Sequence, residues 1–400
     1  MKRRSFIKNT SLAAAGTFLV PEFLKAMDSS PDNTAGKGKV LIVIQLSGGN
    51  DGLNTIVPYG DDLYKSNRTK LALNGNELIT IDNHVAFNAQ LAGLADIFHD
   101  NGLAILNSVG YPNPDRSHFR SLDIWHSASH ANEYWQTGWI GRYLDAVCKG
   151  CGKPYTAIEA DDTLSLALKG ETVSGIACRD PKTFKLTTAN PMILETAARY
   201  KPHDDDHHNV EYLRKTLAEA SQSAAYIYEH SKIYASTQAY PDAPIGRQLK
   251  QVAELICSGS ETKIYYVSMP GYDTHALQRG QQNRLLGQYS KALKALYLDL
   301  KAAGRWNDTL VMTFSEFGRR VKENAGDGTD HGTANVLMLA GGNLKQKGVI
   351  NEAPDLKNLV DGDLVHKVDF RNVYATILQN WLEADAEKIL GRKFEKMDFV

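Results

Sequence analysis

The chain has 400 residues, and its 45 basic and 46 acidic side chains give a formal net charge of −1. This balance gives no electrostatic reason to expect nucleic acid or an anionic membrane as a partner. After the N-terminal leader, no stretch approaches the roughly 20 consecutive apolar residues of a membrane span. We therefore predict no stable membrane span once the leader is removed.

The first 26 residues resemble a twin-arginine signal peptide. Arg3 and Arg4 stand before an apolar run at residues 12–20, which is too short to span a bilayer comfortably. Cleavage near Ala26 would leave a polar linker over residues 27–39. This pattern predicts export by the twin-arginine translocase and a periplasmic or secreted protein, with an ordinary amphipathic helix as the alternative.

A first strand is predicted over residues 40–46, VLIVIQL. A continuous apolar run rich in β-branched residues is typical of a strand that is buried on both faces. The loop that follows it contains Asp51 and Asn54, whose oxygens would suit a hard cation at the carboxyl end of the strand. No Gly-Lys-Ser/Thr follows, which argues against a phosphate-binding loop. A turn without chemistry is the alternative interpretation.

A second buried strand is predicted over residues 103–109, and the segment YPNPDRSHF follows it. Its prolines favour an extended chain, and Asp115 or Ser117 then caps a helix. A serine at a helix N-terminus, flanked by Arg116 and with Arg120 nearby, also suits an activated nucleophile that faces an anion. The local sequence favours the capping role for Ser117.

The middle of the chain carries two weaker signals. Residues 180–240 are predicted to form a mainly helical insertion, and we interpret the acidic, histidine-rich run at 202–208 as a solvated loop rather than an ion site. Cys148 and Cys151 form a C-x-x-C motif, but no second pair completes a zinc site. A local disulfide or unpaired thiols are favoured over redox chemistry.

The remaining polar clusters again follow predicted strands. Strands are predicted at residues 263–268, 311–314 and 336–340, and helices at 91–99, 137–144, 246–257, 282–302 and 369–381. Asp273 and His275 follow the first of these strands and Glu316 the second, while Asp330 and His331 precede the third.

This alternation of strands and helices predicts an α/β fold with a mostly parallel central sheet. The carboxyl ends of parallel strands meet at one edge, so we expect the polar clusters to lie together there. Mixed oxygen and imidazole groups predict a divalent-metal or acid–base site.

Six motifs carry a family resemblance: LSGGNDGLNTIVP, DRSHF, TGWIGRYLD, GYDTH, SEFGR and DHGTAN. In this order, after a twin-arginine leader, they resemble the bacterial family of domain of unknown function 1501, which is grouped with the alkaline phosphatase and sulfatase superfamily. The resemblance runs from about residue 40 to Trp381. It implies a single domain over residues 40–400, a three-layer alkaline phosphatase-like sandwich with helices on both faces of the sheet.

The resemblance also implies roles for individual residues. The implied metal ligands are Asp51, Asp273, His275, Glu316 and His331. Asn54 offers a further oxygen donor beside Asp51, and Asp330 adds a carboxylate that the general pattern does not need. The implied catalytic residues are the nucleophile Ser117 and the anion-binding arginines Arg116 and Arg120. One or two zinc or manganese ions fit this set, with calcium or magnesium as alternatives.

Three departures from the superfamily pattern accompany the resemblance. Glu316 replaces an aspartate, and Phe317 stands where a metal-binding histidine is expected. The sulfatase nucleophile motif, Cys or Ser followed by x-Pro-x-Arg, is absent around Ser117, which argues against formylglycine chemistry.

The first functional hypothesis is a metal-dependent hydrolase that acts on a small-molecule or glycan ester of phosphate or sulfate. The alternative is a non-catalytic secreted binding or scaffold protein that retains the fold, which Phe317 favours. An exported oxidoreductase is a third hypothesis, but no GxGxxG motif follows a strand.

Overall fold

A nine-stranded β-sheet forms the centre of the computed structural model. The structure describes residues 38–148, 153–188, 190–191 and 207–400. The predicted signal peptide over residues 1–26, most of the predicted linker and the acidic run at 202–206 lie outside the described residues. Among the residues that are described, no helix is both long enough and apolar enough to cross a membrane.

The strands are β1 (Val40–Ser47), β2 (Ile56–Val57), β3 (Leu78–Thr80), β4 (Ala86–Asn88), β5 (Leu103–Gly110), β6 (Ala157–Glu159), β7 (Ile176–Ala177), β8 (Ile264–Pro270), β9 (Thr309–Phe314), β10 (Asn335–Gly341), β11 (Gly348–Val349), β12 (Leu359–Val360), β13 (Asp363–Leu364) and β14 (Val368–Asp369). The central sheet has the order β11-β5-β10-β9-β1-β8-β6-β7, and β14 also pairs with β5. Only β10 runs antiparallel to its neighbours in the described sheet. The predicted mostly parallel sheet is confirmed.

The helices are α1 (Asp62–Asn67), α2 (Ala92–His99), α3 (His118–Ser127), α4 (Trp139–Val147), α5 (Pro181–Thr188), α6 (His207–His230), α7 (Pro244–Cys257), α8 (Gln278–Ala302), α9 (Phe370–Thr376) and α10 (Ala386–Leu390). A π-helical turn, Ile377–Trp381, continues α9. Helices α5 and α6 lie within the predicted insertion.

The alternation of side chains along β1 places the sheet between two layers of helices. Val40, Ile42 and Ile44 belong to one buried cluster, together with apolar residues of α2, α7 and α8. Leu41 and Val43 belong to the other, together with apolar residues of α3, α4 and α9. A strand that buries both faces needs a continuous apolar sequence, so the run VLIVIQL accounts for the three-layer arrangement.

The shortest elements were not predicted from the sequence. Strands β2, β4 and β3 form a small second sheet, and β12 pairs with β13 in a hairpin. Asp361 and Gly362 turn this hairpin with φ angles of 53° and 82°, the left-handed conformations that a tight two-residue turn requires. Strands of two or three residues carry too little periodicity to be recognised in a sequence.

Candidate functional site

One edge of the central sheet carries five loops with polar side chains. Strands β1, β5, β8 and β9 end at this edge, and β10 begins there because it is antiparallel to β9. The loop before β10 therefore joins the loops that follow the parallel strands. This topology explains how groups from distant parts of the chain reach one place.

Two glycines allow the loop after β1 to pass close to its neighbours. Gly48 and Gly49 have φ angles of 116° and 74°, which side chains disfavour. A Cβ atom on Gly48 would lie 2.5 Å from the backbone nitrogen of Asp273, and one on Gly49 would overlap the ring of Phe317. The Gly48 N–H donates a hydrogen bond to Glu316 Oε1 at 2.8 Å.

Four side chains from three loops converge at this edge, and we call them the histidine cluster: His118, Asp273, His275 and His331. The Asp273 Oδ1 atom lies 3.0 Å from His275 Nε2 and 3.1 Å from His331 Nε2. The two imidazole Nε2 atoms are themselves 3.0 Å apart. Asp273 Oδ2 lies 3.4 Å from His118 Nε2. Ligand atoms of His118, Asp273 and His331 all lie within 4.8 Å of one another.

The other ring nitrogen, Nδ1, faces an oxygen atom in each histidine: Glu316 Oε1 at 2.8 Å for His118, the Arg116 carbonyl oxygen at 2.8 Å for His331, and Asp330 Oδ1 at 3.3 Å for His275. A carbonyl or carboxylate oxygen accepts, so a neutral imidazole with its proton on Nδ1 satisfies each of these contacts and presents an Nε2 lone pair to the centre of the cluster. In the absence of a metal ion, a protonated Nε2 of His275 or His331 can instead donate to Asp273 Oδ1. Oxygen acceptors behind imidazole rings are the usual arrangement around a metal ion.

Besides the Asp273 carboxylate, the described residues offer these Nε2 atoms no oxygen acceptor. His118 Nε2 is buried and makes no hydrogen bond to any described residue, while His275 Nε2 and His331 Nε2 face each other at 3.0 Å. Ligand atoms around a tetrahedral zinc ion lie about 3.3 Å apart, as zinc–nitrogen distances of 2.0–2.1 Å require. The donor set therefore fits a divalent metal ion, with three imidazoles and one carboxylate.

Two groups of the cluster have shifted pKa values. The hydrogen bond to Glu316 raises the pKa of His118 above its ordinary value, and burial opposes the shift only in part. Burial favours the protonated form of Asp273, but hydrogen bonds from Arg319 and His331 outweigh it and hold the pKa of Asp273 well below its usual range. Asp273 is therefore an ionised ligand at neutral pH.

Arg319 and Phe317 support the cluster from behind. The buried Arg319 guanidinium donates to Asp273 Oδ1 at 2.8 Å and to backbone carbonyl groups of the adjoining loops. The buried Phe317 ring packs against the rings of His118 and His331, with centroids 4.8 and 4.7 Å apart. Phe317 thus contributes an apolar wall where the superfamily pattern has a ligand.

The predicted catalytic segment surrounds the beginning of α3. Ser117 is the N-cap residue of α3, is exposed, and makes no capping hydrogen bond through its hydroxyl. Its neighbours on both sides contact the cluster, since the Arg116 carbonyl binds His331 and His118 belongs to the cluster. The Arg116 guanidinium instead pairs with Asp363.

Arg120 does not face the histidine cluster, which corrects its predicted role in anion binding. Its guanidinium donates to the carbonyl groups of His130 and Ala131 at 3.2 and 3.0 Å and stacks over the ring of Tyr134. Residues two positions apart on a helix point in different directions. Because His118 faces the cluster, Arg120 points elsewhere.

Asp51 and Asn54 are buried in a group separate from the histidine cluster, and their role as metal ligands stays a prediction; we call this group the Asp51 cluster, comprising Asp51, Asn54, Arg68 and Gln278. Asp51 Oδ2 accepts hydrogen bonds from Arg68 Nη1 and Gln278 Nε2, both at 2.5 Å. Asn54 Oδ1 accepts from Arg68 Nη1 at 3.0 Å. A guanidinium of the same chain therefore pairs with Asp51 Oδ2, while Asp51 Oδ1 is buried without a hydrogen-bond partner among the described residues.

Glu316 lies behind His118 rather than beside the other ligands, which also departs from its predicted role. Its Oε1 atom accepts from the Gly48 N–H and faces His118 Nδ1, and its Oε2 atom accepts from the Ser315 hydroxyl at 3.1 Å. Both oxygens are thus engaged by the protein, and Glu316 orients His118. Asp330 has the equivalent position behind His275.

The sequence interpretation missed His118 as a metal ligand and Arg319 as a support. Both residues stand in motifs that it noted, DRSHF and SEFGR. A histidine at the first position of a helix that follows a strand is the available signal for His118. No local pattern distinguishes Arg319 from Arg320, because the contacts of Arg319 come from loops distant in sequence.

The described cysteines are not members of the histidine cluster. Cys148 is disulfide-bonded, and Cys151 lies outside the described residues. Cys178 and Cys257 are free thiols. Burial raises the pKa of both thiols to about 12, so neither is a thiolate at neutral pH.

Comparison with known proteins gives one family match, to a model described as Protein of unknown function (DUF1501) over residues 100–396. No curated protein matches the chain significantly. The phosphonate monoester hydrolase SpPMH from Silicibacter pomeroyi is similar at 9% identity, over 90% of this chain and 78% of that chain, with a TM-score of 0.42.

Two other solved structures are similar at the same level. A protein of the alkaline phosphatase superfamily from Vibrio parahaemolyticus is 11% identical over 89% of this chain and 69% of that chain, with a TM-score of 0.41. The C-terminal periplasmic domain of EcEptC from Escherichia coli in complex with Zn is 10% identical over 76% of this chain and 73% of that chain, with a TM-score of 0.36. Similarities this distant carry no argument about activity.

Proposed function

Because this chain belongs to DUF1501, a family of proteins of unknown function, we propose its activity from its own site: a metal-dependent hydrolase of phosphate or sulfate esters with a serine nucleophile. The single observation that carries this proposal is the convergence of three imidazole Nε2 atoms on Asp273, each with its Nδ1 atom committed to an oxygen. Imidazole nitrogens that converge on a carboxylate at these distances are a donor set that a divalent metal ion prefers.

His118, Asp273, His275 and His331 would hold the ion. Imidazole and carboxylate ligands without thiolate suit zinc, manganese or iron. When bound, such an ion polarises the ester and favours the deprotonated nucleophile. The chain's own contribution is to hold the rings in one tautomer through Glu316, Asp330 and the Arg116 carbonyl, and to keep Asp273 ionised through Arg319.

Ser117 is the nucleophile in this proposal. Its exposed hydroxyl lies between Arg116 and His118, both of which contact the cluster. Attack would form a bond from Ser117 Oγ to phosphorus or sulfur and break the ester bond, and the released alcohol would take up a proton. A water molecule would then release the inorganic anion and restore the Ser117 hydroxyl.

The beginning of α3 is suited to the negative charge of the ester. The first N–H groups of a helix have no partner within the helix, and the helix dipole adds a partial positive charge. The N–H groups of His118 and Phe119 stand next to the Ser117 hydroxyl in the chain. They would stabilise the equatorial oxygens as charge develops on them.

A non-catalytic binding protein is the second candidate. Phe317 provides no ligand atom, and Arg68 balances Asp51, so the site offers fewer ligands than a two-metal hydrolase would use. In this candidate the ion would be structural and Ser117 would only cap α3.

Export by the twin-arginine pathway is proposed separately, on the resemblance of residues 1–26 alone. An exported protein would meet its substrate outside the cytoplasm. Comparing the location of the full chain with that of an Arg3→Lys, Arg4→Lys variant tests this point.

Metal analysis combined with ester assays tests the proposed activity. We expect the purified protein to contain divalent metal and to hydrolyse aryl phosphate or aryl sulfate esters. A Ser117→Ala variant should keep its metal and lose activity by on the order of 10³-fold or more, whereas Ser66→Ala, at an exposed serine of α1, should match the wild type. Metal-free protein without turnover would refute the proposal, and metal-loaded protein without turnover would favour the binding protein.

A further inference from the structure

A cavity of about 350 Å³ opens beside the histidine cluster. Two residues belong to both features. Phe317 lines the cavity while its ring packs on His118 and His331. Arg116 also lines the cavity while its carbonyl binds His331 Nδ1. The cavity and the cluster therefore share a wall.

Apolar side chains form one part of the cavity wall: Tyr111, Pro114, Ala334, Val360, Leu364 and Val365. The uncharged polar residues Asn113 and Thr333 also line the cavity, as does His366. Val360 is 62% exposed and Val365 is 37% exposed. Exposed valines scattered singly need no explanation, but neighbouring ones on the wall of a concave site are typical of a ligand-binding surface. The β12–β13 hairpin and the residue after it supply both valines.

The charged groups around the cavity balance one another. Arg116 Nε donates to Asp363 Oδ2 at 2.8 Å, and Arg320 Nη1 donates to the Asp361 carbonyl oxygen at 3.3 Å. Arg320 Nε also lies 3.9 Å from Asp363 Oδ1. Both guanidinium groups thus lie near the Asp363 carboxylate, and Asp361 adds a second carboxylate to the cavity wall. The cavity offers no surplus positive charge to a second anionic group.

We propose that this cavity binds the uncharged, largely apolar organic group of a monoester whose phosphate or sulfate lies at the histidine cluster. This inference rests on the proposed function and specifies its substrate class. The volume is at the lower end of the range for ligand pockets, 300–1,000 Å³, and fits a group of about one ring. A small aryl or alkyl monoester is therefore favoured over a glycan or a nucleotide.

Binding of non-hydrolysable acids to the zinc-loaded protein tests this inference without turnover. Titration calorimetry should show that phenylphosphonate binds at least about tenfold more tightly than methylphosphonate, because the ring buries apolar surface in the cavity. If the site prefers sulfate, the same comparison is made between phenylsulfonate and methanesulfonate; we call the second member of each pair the methyl acid. Val360→Trp and Val365→Trp should each bring this ratio close to one while methyl-acid affinity is retained. Val147→Trp, at a valine of α4 that is 51% exposed, should leave the ratio unchanged.

The outcomes separate the two proposals. Equal affinities for phenyl and methyl acids in the wild type, or a ratio that survives both tryptophan substitutions, would overturn the cavity assignment and leave the hydrolase proposal standing. If none of the acids binds, both proposals fail. If the Val360→Trp variant also loses affinity for the methyl acid, the ratio of phenyl-acid to methyl-acid affinity in the Val365→Trp variant decides whether the cavity assignment stands.

Discussion

The histidine cluster and the Asp51 cluster lie at the same edge of the sheet, yet they differ in exposure and in the donor atoms they present. Side chains of Asp273 and His275 are 48% and 47% exposed, whereas those of Asp51 and Arg68 are fully buried. A guanidinium of the same chain pairs with the carboxylate in both clusters, Arg68 with Asp51 and Arg319 with Asp273. The histidine cluster adds three imidazoles that converge on its carboxylate.

This difference separates a structural group from a ligand-binding site. Both clusters follow strands and both contain an aspartate, so the aspartate and its position do not distinguish them. The imidazoles and the exposure do. The guanidinium and the amide that face Asp51 Oδ2 offer no ligand nitrogen, whereas converging imidazole Nε2 atoms beside a half-exposed carboxylate suit a metal ion.

Removal of the internal cation should have the largest effect on stability. Arg68→Met leaves the buried Asp51 carboxylate without its partner and should lower the free energy of unfolding by about 3–5 kcal/mol, measured by denaturant titration, with metal content unchanged. Arg247→Met, which breaks an exposed pair with Asp242, should cost about 1 kcal/mol or less. If Arg68→Met lost metal without losing stability, the Asp51 cluster would belong to the metal site and would no longer differ in role from the histidine cluster.

Buried and converging imidazoles should also differ in their response to pH. His126 lies within 3.0 Å of Gln45 Oε1 and the Tyr266 hydroxyl, and burial lowers its pKa to about 4. The unfolded chain takes up this proton below about pH 6.5 and the folded protein only near pH 4, so stability should fall as pH drops through this window, by about 3 kcal/mol in total. His126→Gln should remove this part of the slope, and parallel slopes would contradict the assignment.

Removal of a proposed ligand should weaken metal binding more than any change behind the ligands. His331→Ala should lower zinc affinity by about 100-fold or more, since changes behind ligands already cost 10–100-fold. Competition with a chromogenic chelator measures this affinity. The exposed His84 provides the control, and His84→Ala should match the wild type. Equal affinities in the two variants would exclude His331 from the site.

Glu316→Gln tests the smallest expected effect. The amide can still accept from His118 Nδ1, but the charge that orients and strengthens the imidazole is lost. Zinc affinity should fall by about tenfold. A loss as large as that of His331→Ala would make Glu316 a direct ligand, as the sequence predicted, and would erase the distinction between ligand and support.

The long elements of the fold were predictable because their signals are local. The strand predicted at residues 40–46 is observed at Val40–Ser47, and the strand predicted at residues 103–109 at Leu103–Gly110. The helix predicted from residue 282 instead begins at Gln278, since helix ends depend on tertiary contacts. The hairpin of β12 and β13 has no local signal, and it supplies one wall of the proposed subsite.

The site was predictable only in part. Asp273, His275 and His331 were expected together on strand-end positions, and the structure brings their side chains together. The roles of Asp51 and His118 could not be predicted from the sequence, because each depends on a partner that is distant along the chain. Arg68 reaches Asp51 across 17 residues, and Glu316 reaches His118 across 198.

The amino-acid sequence alone determined the layered α/β architecture and the edge at which polar loops gather. Continuous apolar runs must be covered on both faces, and parallel strands align their carboxyl ends. Only the tertiary structure decided which arginine pairs with each carboxylate and which imidazoles face one another. Hydrogen-bond partners are chosen by distances of about 3 Å, and such distances arise only when remote loops are packed together.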